Sequence, residues 1–213
     1  ENYAQVLSGV IDSLDEKKVY NQVLEQVTAA VEAKRPEIKE QVTAAVKEQV
    51  ETQVTAAVRA QVTEEVTAAV REQISEQVIL AVTGLSKADY EAAVKAGTIS
   101  QEVQDTVNST IETKMQSSDV QATIEAQVAA QMDKEEIKAS IKTATEAQMQ
   151  SETVQQTIAE QTDVQVKKAI ADTMASEEIQ KKLAEASEGA KAVISLKTSL
   201  DSYNAFYLGL LAY

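Results

Sequence analysis

The stretch Gln41-Val42-Thr43-Ala44-Ala45-Val46 recurs as Gln53-Val54-Thr55-Ala56-Ala57-Val58 and, with Glu for Gln, as Glu65-Val66-Thr67-Ala68-Ala69-Val70. An earlier copy lies at 26–31. From Val42 onward an apolar residue falls at every fourth position: Val46, Val50, Val54, Val58, Val62, Val66, Val70, Ile74, Val78, Val82. Alternation is absent, Ala, Glu, Gln and Lys fill the gaps, and neither Gly nor Pro interrupts 37–83. The segment is therefore helix, despite its valines. At about 1.5 Å per residue it would be roughly 70 Å long.

A spacing of four decides more than helicity. Each step advances an apolar stripe by about 40° on a helix of about 3.6 residues per turn, so the stripe travels right round. A heptad seam stays on one face. The helix is then not one strand of a plain dimeric coiled coil. Either successive neighbours meet it on different sides, or its winding changes and it bends to follow one neighbour. The favoured arrangement is a long helix wrapped by shorter ones, with the pairs Ala44-Ala45, Ala56-Ala57 and Ala68-Ala69 permitting close approach.

A second repeat fills 98–183. Its units read Met115-Gln-Ser-Ser-Asp-Val120-Gln-Ala-Thr-Ile124, Met149-Gln-Ser-Glu-Thr-Val154-Gln-Gln-Thr-Ile158 and Met174-Ala-Ser-Glu-Glu-Ile179-Gln-Lys-Lys-Leu183. Starting at Thr98, the starts at Met115, Met132 and Met149 follow at intervals of 17, and Met174 comes 25 later. Apolar steps of four (Val103, Val107, Ile111, Met115) give way to a step of five to Val120, which breaks the stripe. The break coincides with Ser100, Ser117 or Ser118, Asp133, Ser151 and Ser176, each followed by acidic residues, a helix N-terminus signature. Helices of about 13–16 residues with corners near 100, 117, 133, 151 and 176 are expected. The rival is one long helix with polar kinks.

Between the repeats lies Thr83-Gly84-Leu85-Ser86-Lys87-Ala88-Asp89. Gly84 suits the residue after a helix end, Ser86 caps the next helix, and Asp89 completes its box. That helix runs to about Ala96 and ends at Gly97. The chain reverses here, and Leu85, Lys87, Asp89 and Tyr90 are the candidate contact residues of the tip. Pro36, preceded by Lys34-Arg35, marks a kink or tight break. The layout expected is all-α: an elongated helical bundle with a long arm over 1–97, returning helices over 98–213, and termini close together.

Composition narrows the chemistry. The chain has 213 residues, no Cys, His or Trp, 3% aromatics, one Pro, five Gly and a formal charge of −14. Without His or Cys there is no Ser-His-Asp triad, no Cys/His nucleophile pair and no ordinary zinc site. The acidity argues against nucleic acid and against anionic lipid bound through a basic face. No run of about 20 apolar residues is present, so no membrane span and no direct insertion are expected. The adjacent acids Glu64-Glu65, Glu135-Glu136 and Glu177-Glu178 diverge by about 100° on a helix and cannot converge on one ion. Asp12, Asp15 and Glu16 lack the glycine and alternating oxygens of a calcium loop. Asn108-Ser109-Thr110 matches a glycosylation sequon inside a helix. Met115, Met132, Met149 and Met174 read as packing at helix ends rather than a thioether site. No cofactor is expected.

Aromatics cluster at the ends: Tyr3 and Tyr20, then Tyr203, Phe206, Tyr207 and Tyr213. An aromatic plug is expected there, with Val193, Leu196, Leu200, Tyr203 and Tyr207 facing Val6, Val10, Leu14 and Leu24. A tyrosine-lined ligand surface is the alternative. The start at Glu1 and the stop at Tyr213 within an apolar run suggest a piece of a longer protein.

The recurring Met-Gln-Ser-x-x-Val-Gln-x-x-Ile units and the segment from Leu196 to Tyr213 resemble the extracellular region of the phage-infection-protein (YhgE/Pip) family of Firmicutes membrane proteins. The resemblance covers 98–213, and 1–97 only in general helical character. The family's glycine-punctuated repeats are scarcely present; Glu188-Gly189-Ala190-Lys191 hints at one. The resemblance implies membrane helices outside this stretch and a place on the extracellular side of a Gram-positive membrane. It also implies a binding role, as a phage receptor or in association with type VII secretion, towards a protein partner or phage tail protein. It transfers no catalytic or binding residue. The function expected is a non-enzymatic interaction or receptor module, with homo-oligomerisation open. A phage tail or tape-measure fragment is the alternative.

Overall fold

The computed structural model describes residues 2–186 and 188, with side chains from Glu16 onward. The chain is an all-α helical bundle. Its helices are α1 (Asn2–Ala33), α2 (Arg35–Thr83), α3 (Lys87–Lys95), α4 (Gln101–Met115), α5 (Ser118–Met132), α6 (Glu135–Met149) and α7 (Glu152–Ala175), followed by α8 (177–186). None is long and apolar enough to cross a membrane. The expected aromatic plug and the meeting of the termini fall outside the described residues, except that Tyr20 is exposed.

Two compact units divide the chain, 45–154 and 1–44 with 155–213. In the first, Val46, Val50, Val54, Val62, Val66, Val70, Ile74 and Val78 are all buried. Their angular positions span about 320° of the helix, along a right-handed spiral. Cover must therefore move round α2, and short helices supply it. Val62 to Ile79 of α2 form one core with Tyr90 of α3, Val107, Ile111 and Met115 of α4, and Ile124 and Val128 of α5. Threonines beside the stripe remain half-buried because their hydroxyls donate to the preceding turn, as Thr43 does to Lys39 O and Thr63 to Arg59 O, both at 2.7 Å.

In the second unit Val27 and Val31 of α1 pack with Val166 and Met174 of α7. Arg35 meets Asp163, and Val19 and Tyr20 line a groove with Leu183, so α1 runs antiparallel to α7 and α8. Between α1 and α2 only Lys34 leaves the helix. Pro36, in the first turn of α2, has no N–H to lose from the helical bonding. This is a tight break, not a gradual kink.

The corners are real, and the returning helices are separate. Ser117 Oγ donates to Lys114 O at 2.6 Å and accepts from Val120 N, while Gln121 Nε2 donates to Met115 O at 2.7 Å. Ser176 and Gln180 repeat this set with Thr173, Ile179 and Met174. Ser151 bridges Gln148 O and Val154 N. One hydroxyl thus closes the end of one helix and caps the start of the next, and the Gln supplies a further donor to the orphan carbonyls. This is why Met, Ser, Val and Gln recur together.

Three expectations need correction. Asp133 is not a cap: it follows α5 in helical conformation, and Lys134 occupies the N-cap of α6 without a side-chain bond. Asp133 instead pairs with Lys138 at 3.1 Å, the residue standing where other corners have Gln. The alanine pairs at 44–45, 56–57 and 68–69 are exposed, because the half-buried Thr after each Val, not the Ala, borders the contact. α7 has 24 residues, longer than expected, because no Ser interrupts the segment between 151 and 176.

Candidate functional site

The turn at 83–97 is built from two left-handed glycines. Gly84 has φ +72 and Gly97 φ +76, backbone that an L side chain adopts only with strain. Thr83 Oγ1 donates to Ile79 O at 2.6 Å and accepts from Leu85 N at 3.2 Å, tying the exit of α2. Ser86 Oγ accepts from Asp89 N at 3.2 Å, so the expected cap forms. At the far end Thr98 N donates to Ala93 O and Gly97 N to Val94 O, a Schellman closure.

This geometry places the four tip residues differently. Tyr90 is 8% exposed and sits in the core, with half-buried Leu85 packed against the same cluster. Lys87 pairs with Glu72 of α2, and that hydrogen bond raises its ammonium above the ordinary lysine range. Asp89 alone of the four points outward. Three of them therefore hold α3 to α2. Beside the turn, Leu80 is 60% and Val82 41% exposed. Val82 continues the buried stripe in sequence but lies beyond its last cover, and Ile79 is buried in its stead. The outward apolar pair Leu80 and Val82 was not legible as such, since both sit in a run that periodicity assigns to the core.

The other groupings offer little chemistry. No cluster of three or more metal-ligating side chains occurs among the described residues. Glu64 and Glu65 are exposed, and Glu135 and Glu136 lie in the first turn of α6, where they complement the helix dipole. Glu178 reaches Lys182 at 3.6 Å. Met115 and Met174 are buried, and Met115, Met132 and Met149 each end a helix.

Charge pairing is the more ordered feature. Arg35 Nε donates to Glu32 at 2.7 Å and its Nη1 to Asp163 at 2.6 Å. These bonds hold both carboxyls below their usual range and the guanidinium above its own. Arg71 pairs with Glu112 in the same sense, lowering that carboxyl. Arg59 lines a shallow groove with Ala129, Ala130, Met132 and Asp133, and among the described residues no ion pair engages it. Such a surface can offer hydrogen bonds, charge and small apolar patches to another macromolecule. Comparison with protein-family models, curated proteins and solved structures found no match to this chain.

Proposed function

We propose that the chain is a non-enzymatic helical module of a bacterial cell-surface membrane protein, lying on the extracellular side of a Gram-positive membrane and acting by protein contact. The supporting observation is where the distinctive residues are engaged. The corner Ser and Gln side chains, Arg35, Arg71 and three of the four tip residues all join the chain to itself. Facing outward among the described residues are Ala, Glu, Gln, Lys and Thr, with Leu80 and Val82 beside the turn and Tyr20 and Val164 elsewhere. The resemblance of 98–213 to the phage-infection-protein family supplies the location and the classes of partner, a phage tail protein among them.

An epitope placed in the full-length protein, probed on intact and on lysed Gram-positive cells, tests the location. Labelling of intact cells is expected. Labelling only after lysis, or only in phage particles, overturns the reading and favours a tail component. Replacing 84–97 by a short Gly/Ser turn tests the tip; unchanged phage adsorption or partner capture excludes it as the contact.

A further inference from the structure

Two ion pairs, one in each unit, obey a common numerical rule. Arg71 of α2 pairs with Glu112 of α4, and Arg35 of α2 pairs with Asp163 of α7. The arginines are 36 residues apart, three of the twelve-residue units; the carboxylates are 51 apart, three of the seventeen-residue units. An intermediate position follows the rule too. Arg59, twelve before Arg71, shares its groove with Ala129, seventeen after Glu112. Lys47 and Glu146 stand at the remaining step. Every twelfth residue of α2 from 35 to 71 is thus a cation, and Lys39 is the only other one in that span.

Burial keeps the same period. Ile111, Val128, Thr145 and Thr162, spaced by 17, are all buried. Physical geometry explains how 17 residues can serve 12. Twelve residues advance α2 by about 18 Å and turn its stripe by about 120°. A 15-residue helix is longer than that advance, at about 22 Å, so each short helix must lie across α2 while the next meets a new side.

We propose that the chain is a composite repeat in which each twelve-residue unit of α2 is matched to one seventeen-residue unit of the return. Adding or removing one matched pair then changes the length of α2 by about 18 Å and leaves the pairing on either side in register. This goes beyond the surface-module reading and does not depend on it. The chain tolerates such a step without phase error. Removing 48–59 brings Val62 four positions after Val46, and removing 118–134 leaves Ser117 to cap Glu135-Glu136-Ile137-Lys138.

The test uses the absence of native cysteine. Arg71→Cys with Glu112→Cys reports one register, Arg35→Cys with Asp163→Cys the other, each read as cross-linking yield with a short bis-maleimide. Both pairs are built into the parent, into the paired deletion (48–59 with 118–134), into the paired duplication of the same segments, and into each single deletion. In a paired variant both cross-links are expected at the parental yield. In a single deletion at least one should fall by about 10-fold or more, because the arms are then out of step by about 18 Å. The proposal stands if either paired variant keeps both cross-links while the single deletions lose one. It is overturned if both paired variants lose a cross-link, or if a single deletion keeps both.

Discussion

Thr145 and Thr162 occupy the same place in consecutive seventeen-residue units, both almost wholly buried, yet only one satisfies its hydroxyl. Thr162 Oγ1 donates to Ile158 O at 2.7 Å, whereas Thr145 Oγ1 has no partner. The equivalent residues Ile111 and Val128 are apolar. A buried hydroxyl without a hydrogen bond costs stability that an isosteric methyl does not. Thr145→Val is therefore expected to stabilise by about 1 kcal/mol, and Thr162→Val to gain less, since its back-bond is already formed. Urea unfolding of the two variants checks this. Equal gains, or a loss at 145, would count against it.

The corners rank by their capping. Ser117→Ala removes both an acceptor for Val120 N and a donor to Lys114 O, and should cost about 1 kcal/mol. Gln121→Ala, which frees Met115 O, should cost about 0.5–1.5 kcal/mol. The opposite sign is expected at the α5–α6 corner. Lys134 already has the extended φ −68, ψ 139 of an N-cap but offers no cap bond, so Lys134→Ser should stabilise by about 0.5–1 kcal/mol. Thermal unfolding of the three variants measures the order, and a destabilising Lys134→Ser would refute the corner scheme.

Acid should weaken the pairs at Arg35 and Arg71. Hydrogen bonds from Arg35 hold Glu32 and Asp163 below their ordinary values of 4.5 and 3.8, and Arg71 does the same to Glu112. A carboxyl depressed in the folded state stabilises fully above its unfolded value, and that contribution is lost as pH falls through the folded one. Asp163→Asn is expected to lower the urea midpoint at pH 7, with the difference from the parent shrinking as pH falls below 3.8. Because the pairs are exposed, about 1 M salt should also shrink it. A difference that persists unchanged in strong acid would show that Asp163 acts by packing alone.

How much of this was legible differs residue by residue. The corners at Ser100, Ser117, Ser151 and Ser176 could be read because two independent signals, a phase break and a cap, fall together. At Asp133 the phase break located the corner correctly, but the acid before Lys134 imitated a cap. Local rules cannot tell which of two adjacent polar residues takes the extended backbone. The alanine pairs at 44–45, 56–57 and 68–69 were misjudged because a small side chain suits both a close contact and an open surface. Leu85 and Tyr90 read as tip residues from their place in a turn; that they pack inward is not legible there, since a short helix such as α3 holds its position by burying what apolar area it has. The twelve-residue spacing of Arg35, Lys47, Arg59 and Arg71 is plain in the sequence, but its matching to the seventeen-residue return is not. Which residue of the return faces each cation is decided by tertiary packing, so it emerges only with the ion pairs.

That matching makes Ala129 the exception on the acidic side. Glu112, Glu146 and Asp163 occupy the other three positions of the series, while Arg59 faces a groove lined by Ala129 and Ala130. Ala129→Glu is expected to supply the missing carboxylate and form an exposed ion pair with Arg59, stabilising by about 0.2–1 kcal/mol. Ala130→Glu, one residue on, points about 100° away and should give no such gain. The distinguishing measurement is a double-mutant cycle with Arg59→Gln at low and high salt. Coupling for 129 but not 130, screened by salt, is the expected result; equal coupling at both positions would mean that general charge, not register, is responsible.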